Sequence, residues 1–162
     1  MLKKMFIGVV GLLFLIFVLN YFNKATEISD NITQEAGEVE IKGKIKNQED
    51  VLAAFALLEK NLQAANDEDL EAYASTLVPS AREATKKEMA TFFKEFDVKH
   101  TLLSFEVTKE DGERILVKAR QKTVNEGKNE YRDHITEANH TFVNIDGEWL
   151  LEETAMSDTQ FF

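Results

Sequence analysis

The chain has 162 residues, 29 of them acidic and 19 basic, with a formal charge of −10 and no cysteine. That balance excludes a nucleic-acid binder, which needs a basic footprint. The missing thiols exclude a disulfide framework, a lipoprotein acyl site and cysteine chemistry.

Met1 to Lys4 form a short basic tail ahead of an apolar run from Met5 to Phe22, broken only by Asn20. As a helix this run spans about 27 Å, close to the hydrocarbon core of a bilayer. The sequence therefore predicts a single-pass signal-anchor over 5–22. Lys3 and Lys4 would hold the N-terminus in the cytoplasm, Tyr21 and Phe22 would lie at the outer interface, and the remainder would be extracytoplasmic. A cleaved signal peptide is the competing reading, although no Ala-x-Ala pattern follows the run. Beyond residue 22 lie all 29 acidic residues and 17 of the basic ones, a formal charge of −12.

Residues 23–46 read as a polar spacer, with a hint of a strand at Val39-Glu40-Ile41. Asn47 is a helix N-cap, followed by Val51, Leu52, Phe55, Leu58 and Leu62 at helical spacing. Asn66-Asp67-Glu68-Asp69 breaks that helix and caps a second, which carries Leu70, Tyr73 and Leu77 inward. Pro79 ends it, and Ser80 is the expected cap of a third helix running to about Phe96. Phe92, Phe93 and Phe96 read as a core wall.

From Val98 the period changes to two. Leu103, Phe105 and Val107 alternate with polar residues, and Glu110-Asp111-Gly112 marks a hairpin. Ile115, Val117 and Ala119 alternate in a second strand, and Asn125-Glu126-Gly127 turns again. A long third strand is expected from Asn129 to Asn144, with Arg132, His134, Thr136, Ala138, His140 and Phe142 on one face and Tyr131, Asp133, Ile135 and Glu137 on the other. Either face can be the inner one, because one bulge exchanges them. Asp146-Gly147 turns into a fourth strand. The expected fold class is α+β: after the transmembrane helix, helices packed on a curved four-stranded antiparallel sheet over 47–157, then a tail over 158–162.

The Asn66-Asp67-Glu68-Asp69-Leu70 and Tyr73 segment, the helix–Pro79–helix step and the terminal Asp146-Gly147-Glu148-Trp149-Leu150 hairpin together resemble the nuclear-transport-factor-2-like, SnoaL-like superfamily. The resemblance covers roughly residues 47–157 and implies a cone, often with a pocket. The superfamily holds enzymes, binding modules and assembly domains, so fold does not settle function.

Catalytic signatures are lacking. His100, His134 and His140 have no zinc spacing, and no serine sits in a nucleophile elbow or a phosphate loop. No catalytic residue, metal or cofactor is assigned. Candidate pocket residues are Tyr73, Gln121, Tyr131, Asp133, His134 and His140; a buried Asp133 or Glu137 of raised pKa would favour an enzyme. The expected function is a non-enzymatic, membrane-tethered extracytoplasmic domain that binds a protein partner or a small ligand. Its expected partners are the bilayer through 5–22 and another envelope protein or itself. The alternatives are a structural subunit of a cell-envelope assembly, such as a secretion or conjugation system, and a small-molecule isomerase or cyclase.

Overall fold

The computed structural model describes residues 39–162. The basic tail, the apolar run 5–22 with Lys3, Lys4, Tyr21 and Phe22, and the spacer up to residue 38 lie outside the described residues. Among the described residues no helix is long and apolar enough to cross a membrane.

A short strand, β1 (Ile41–Gly43), leads into α1 (Gln48–Asn66), α2 (Leu70–Ser75) and α3 (Pro79–Glu95). Four long strands follow: β2 (Val98–Glu110), β3 (Arg114–Asn125), β4 (His134–Ile145) and β5 (Glu148–Phe161). They form one open sheet in the order β1-β2-β3-β4-β5. The sheet therefore has five strands rather than four, and it is mixed, because β1 runs parallel to β2. That edge strand falls inside the expected spacer, at the short β-prone stretch around Ile41. The expected tail is also strand: Gln160 and Phe161 pair with Ile135 and His134.

The helices start where their capping residues stand. The Asn47 side chain accepts from Glu49 N, and the Asp69 side chain accepts from Ala72 N. Ser80 does not cap α3. Pro79 takes the first helical position, where its missing N–H costs nothing, and Val78 precedes it with no side-chain cap. Leu52, expected on the buried face of α1, is 47% exposed, while Val51, Ala54, Leu58 and Leu62 are buried.

These four residues lie on the inner face of the sheet, in one core with Phe105, Val107, Ile115, Val117, Phe142 and Leu151. Phe92, Phe96, Met89 and Val98 form a second cluster under α3. Three polar contacts fix the helical layer to the sheet. The Asn66 side-chain amide donates to His100 O at 2.9 Å and accepts from His100 N at 2.7 Å, so it stands in for a neighbouring strand. Trp149 Nε1 donates to Asp50 Oδ1 at 3.1 Å. Leu151 exchanges backbone hydrogen bonds with the α2–α3 link, donating to Thr76 O and accepting from Val78 N.

Gly43 adopts φ +105°, and a Cβ there would run into the Val107 carbonyl oxygen; Gly112 has φ +89° but open space around it. Gly43→Ala is therefore expected to cost about 1–3 kcal/mol and Gly112→Ala clearly less. Urea unfolding midpoints of the two variants check this. Equal losses would show that the β1–β2 contact is not the source of the strain.

Candidate functional site

The registers of β2 to β5 place inward-facing side chains in rows across the sheet. One end row is Glu110, Ile115, Phe142 and Leu151, and the next is Val107, Val117, His140 and Thr154. The middle row is Phe105, Ala119, Ala138 and Met156, followed by Leu102, Gln121, Thr136 and Thr159. The far row is His100, Thr123, His134 and Phe161. The inner face thus turns from apolar to polar along the strands, and from apolar on β2 to polar on β4. At its centre two paired alanines replace larger side chains.

The face of β4 left open by sequence is settled. His134, Thr136, Ala138, His140 and Phe142 are all buried and share the face that carries Phe142 into the core. No bulge reverses this parity. The register shift near Glu137 is taken up in β5, where Glu137 opposes Asp158 and Ala138 opposes Met156. Strand β4 begins only at His134, so Tyr131 and Asp133 stand in the preceding loop, where strand alternation does not govern them.

Two of the candidate residues serve the architecture at that end of the cone. Asp133 Oδ1 accepts from Asn125 N at 2.8 Å and holds the loop closed. Tyr131 packs edge-on to Phe92, with ring centroids 5.8 Å apart, and also against Phe96 and His134; burial pushes its phenol up to about 12. His134 lies between Tyr131 and Phe161, its Nδ1 2.9 Å from Arg132 O, and the Arg132 guanidinium covers the Phe161 ring at 4.4 Å. His100 Nδ1 meets Thr123 Oγ1 at 2.9 Å, and burial, reinforced by His134, lowers its pKa to about 4. This row is an aromatic and histidine plug.

Gln121 and His140 stand on either side of the alanine pair and keep a candidate binding role. His140 Nδ1 contacts Thr154 Oγ1 at 2.9 Å, while its Nε2 is buried with no hydrogen-bond partner. Burial holds its pKa at about 4, so the ring is neutral at pH 7. Thr136, fully buried, also has a hydroxyl without a partner. Buried polar atoms left unpaired each cost of order 1–3 kcal/mol, and Thr136 and His140 place two of them on one face.

Tyr73 packs against both core clusters. Burial raises its pKa, a hydrogen bond with Asn61 works against that, and the charge of Glu88 adds to the rise. Glu88, on α3, has its own pKa raised by burial, and its Oε2 is buried without a partner. Sequence reading missed Glu88. It follows Ala81, Thr85 and precedes Phe92 at helical spacing, a pattern that could have placed it on the inward face. Glu137, by contrast, faces outward beside Lys118 at 3.9 Å and accepts from Ser157 Oγ. Among the described residues no group of histidines and carboxylates is arranged to hold a metal ion.

The fold is that of the cystatin-like, NTF2-like group. A cystatin-like protein of unknown function from Nostoc punctiforme superposes with a TM-score of 0.59 at 15% identity, over 72% of this chain and 93% of that one. An NTF2-like protein of unknown function from Pseudomonas putida gives 0.60 at 13% identity, over 68% and 87%. A candidate dehydratase of the NTF2-like family from Streptomyces avermitilis gives 0.58 at 15% identity, over 65% and 93%. At these identities the likeness shows the fold alone. No curated protein matches the chain by sequence. Residues 56–162 match the family described as "Anti-sigma-I factor RsgI9, C-terminal domain", and the chain belongs to that family.

The buried histidines fix the sign of one pH dependence. His100 and His140 have folded pKa values of about 4 against an ordinary 6.5. The unfolded chain therefore binds more protons between these values. Their contribution is complete above pH 6.5 and is lost as pH falls toward 4, by on the order of 3 kcal/mol each. Glu88 acts with the opposite sign, since its raised folded pKa favours the native state as pH falls. Chemical denaturation at pH 7 and pH 5 is expected to show a lower stability at pH 5. Burial lowers His134 too, with the same sign, so His140→Gln should reduce that difference without removing it; an unchanged difference would show that His140 protonates freely in the native state.

Proposed function

We propose that this chain is a membrane-tethered extracytoplasmic binding domain, non-enzymatic, with its ligand held on the polar half of the cone's inner face. One observation carries the reading: Thr136 Oγ1 and His140 Nε2 are buried without partners on the same face, on either side of the paired Ala119 and Ala138. A core built only for stability would have paired these atoms or replaced them with apolar groups. The apolar run 5–22 behind a basic tail supports the tether, and the spacer behind it supports a domain free to meet partners near the bilayer. The family is named for the C-terminal domain of an anti-sigma factor. That description supports a regulatory setting, in which occupancy of the cone is the signal.

Two measurements test this. The chain has no cysteine, so Glu153→Cys, at an exposed position, provides a single label. A membrane-impermeant maleimide is expected to label it in intact cells; labelling only after lysis would overturn the extracytoplasmic placement. Native mass spectrometry of the full chain, released from nanodiscs after exposure to a small-molecule extract of its own cells, is expected to show an adduct below ~1 kDa, in the size range of pocket ligands. Ala138→Leu should abolish the adduct. Its absence from the unaltered chain would sink the ligand reading.

A second reading, a proton-transfer enzyme, is favoured by Glu88 beside Tyr73. A desolvated carboxylate near a phenol is the pair such chemistry uses. It predicts solvent deuterium exchange into carbonyl compounds, followed by NMR, that Glu88→Gln eliminates. Equal exchange in both proteins would exclude Glu88 as the base.

A further inference from the structure

The unpartnered groups also define the chemistry of what they receive. Thr136 offers a hydroxyl and His140 a neutral imidazole nitrogen, and Gln121, directly paired with Thr136 and 5% exposed, adds a carboxamide. Each is uncharged at pH 7. A hydroxyl both donates and accepts, as does a carboxamide, and a neutral imidazole does either according to its tautomer. The side chains around them are apolar: Phe105, Ala119, Ala138 and Met156 form the central row, with Val117 and Leu102 beside it. No lysine or arginine stands among the inward-facing residues of these rows. The carboxylates near the interior, Glu88 and Glu110, carry the sign that repels an anion. Desolvating a carboxylate or phosphate against such walls costs several kcal/mol with no counter-charge to offset it.

We infer that the cone takes an uncharged, largely apolar molecule whose hydroxyl or carbonyl groups meet Thr136 and His140, and that it rejects carboxylates and phosphates. This rests on the ligand-binding reading above and adds the class of ligand. It also assigns Thr136 the role of a specificity residue. Thr136 supports nothing else in the fold through its hydroxyl, so removing that oxygen should not weaken the protein.

The test uses the full chain in lipid nanodiscs at pH 7 and three probes of one size: 2-naphthol, 2-naphthoate and 2-naphthylmethylamine. Binding is measured by equilibrium dialysis in excess of that to empty nanodiscs. The neutral naphthol is expected to bind and the naphthoate to show no binding above background. Thr136→Val, which keeps the shape of the side chain, should weaken naphthol binding about fivefold or more, the worth of one net hydrogen bond. The same variant should unfold at an equal or higher temperature, because a buried unpaired hydroxyl is gone. A structural role for the hydroxyl would give the opposite pair of results, lower thermal stability with unchanged binding.

Naphthoate or naphthylmethylamine binding as tightly as naphthol would overturn the assignment of ligand class while leaving the cone a binding site. Naphthol binding that Thr136→Val does not change would remove Thr136 from the site. If none of the three probes binds, the ligand-binding reading itself fails, and this inference fails with it.

Discussion

The fold depends on how far α1 reaches across the sheet. Val51, Ala54, Leu58 and Leu62 form one stripe, and they share one core with Phe105, Val107, Ile115, Val117 and Phe142. That contact is the apolar burial that holds α1 on the sheet. It is biased toward one end and one side. In the row nearest the β2–β3 and β4–β5 hairpins Ile115, Phe142 and Leu151 are apolar beside Glu110, whereas Thr136, His140, Thr154 and Thr159 lie outside the apolar stripe. The Asn66 amide on His100 and the Leu151 bonds to the α2–α3 link hold the helices in this offset position. The polar inner surface is thus a consequence of where the helical layer is pinned.

Much of this architecture was legible in the chain, for physical reasons. Asn47 and Asp69 announced helix starts because their side chains satisfy orphan N–H groups. Asp146-Gly147 announced a hairpin because both residues take positive φ, 54° and 89°. The inner face of β4 was not legible. Its two faces carry similar mixtures of polar and apolar residues, and Ile135 on the outer face is buried as well. Tyr131 misled for a related reason: its burial comes from a loop folding over Phe92 and Phe96, a contact 35 residues or more away in sequence that no period records. β1 was only hinted at, since three residues on an edge leave little pattern.

The candidate site divides in the same way. His140 and Gln121 were named from the sequence and lie on the inner face beside the paired alanines. His134 and Tyr131 were named and form the plug, and Asp133 closes a loop. Glu88 went unnoticed because a single glutamate in a lysine-rich stretch of α3 looks solvated; only the fold shows that its carboxylate reaches toward Tyr73. The neighbours in structure include proteins of unknown function and candidate dehydratases. Such a scaffold leaves the chemistry to the few side chains on its inner face.

The two edges of the sheet are unequal, and this bears on crowding. On the β2 side, β1 covers Phe105 to Val107 and Asn66 occupies the outward N–H and C=O of His100. On the β5 side, Leu151 is bonded to the α2–α3 link, but from Glu152 to Gln160 no backbone hydrogen bond to another part of the described chain exists beyond β4. A sheet with two open edges can template chain after chain into a fibre. This sheet offers three residues at its β1 edge and a long free stretch at its β5 edge, so at a high local density of copies any strand that pairs with it finds its longest template along Glu152 to Gln160.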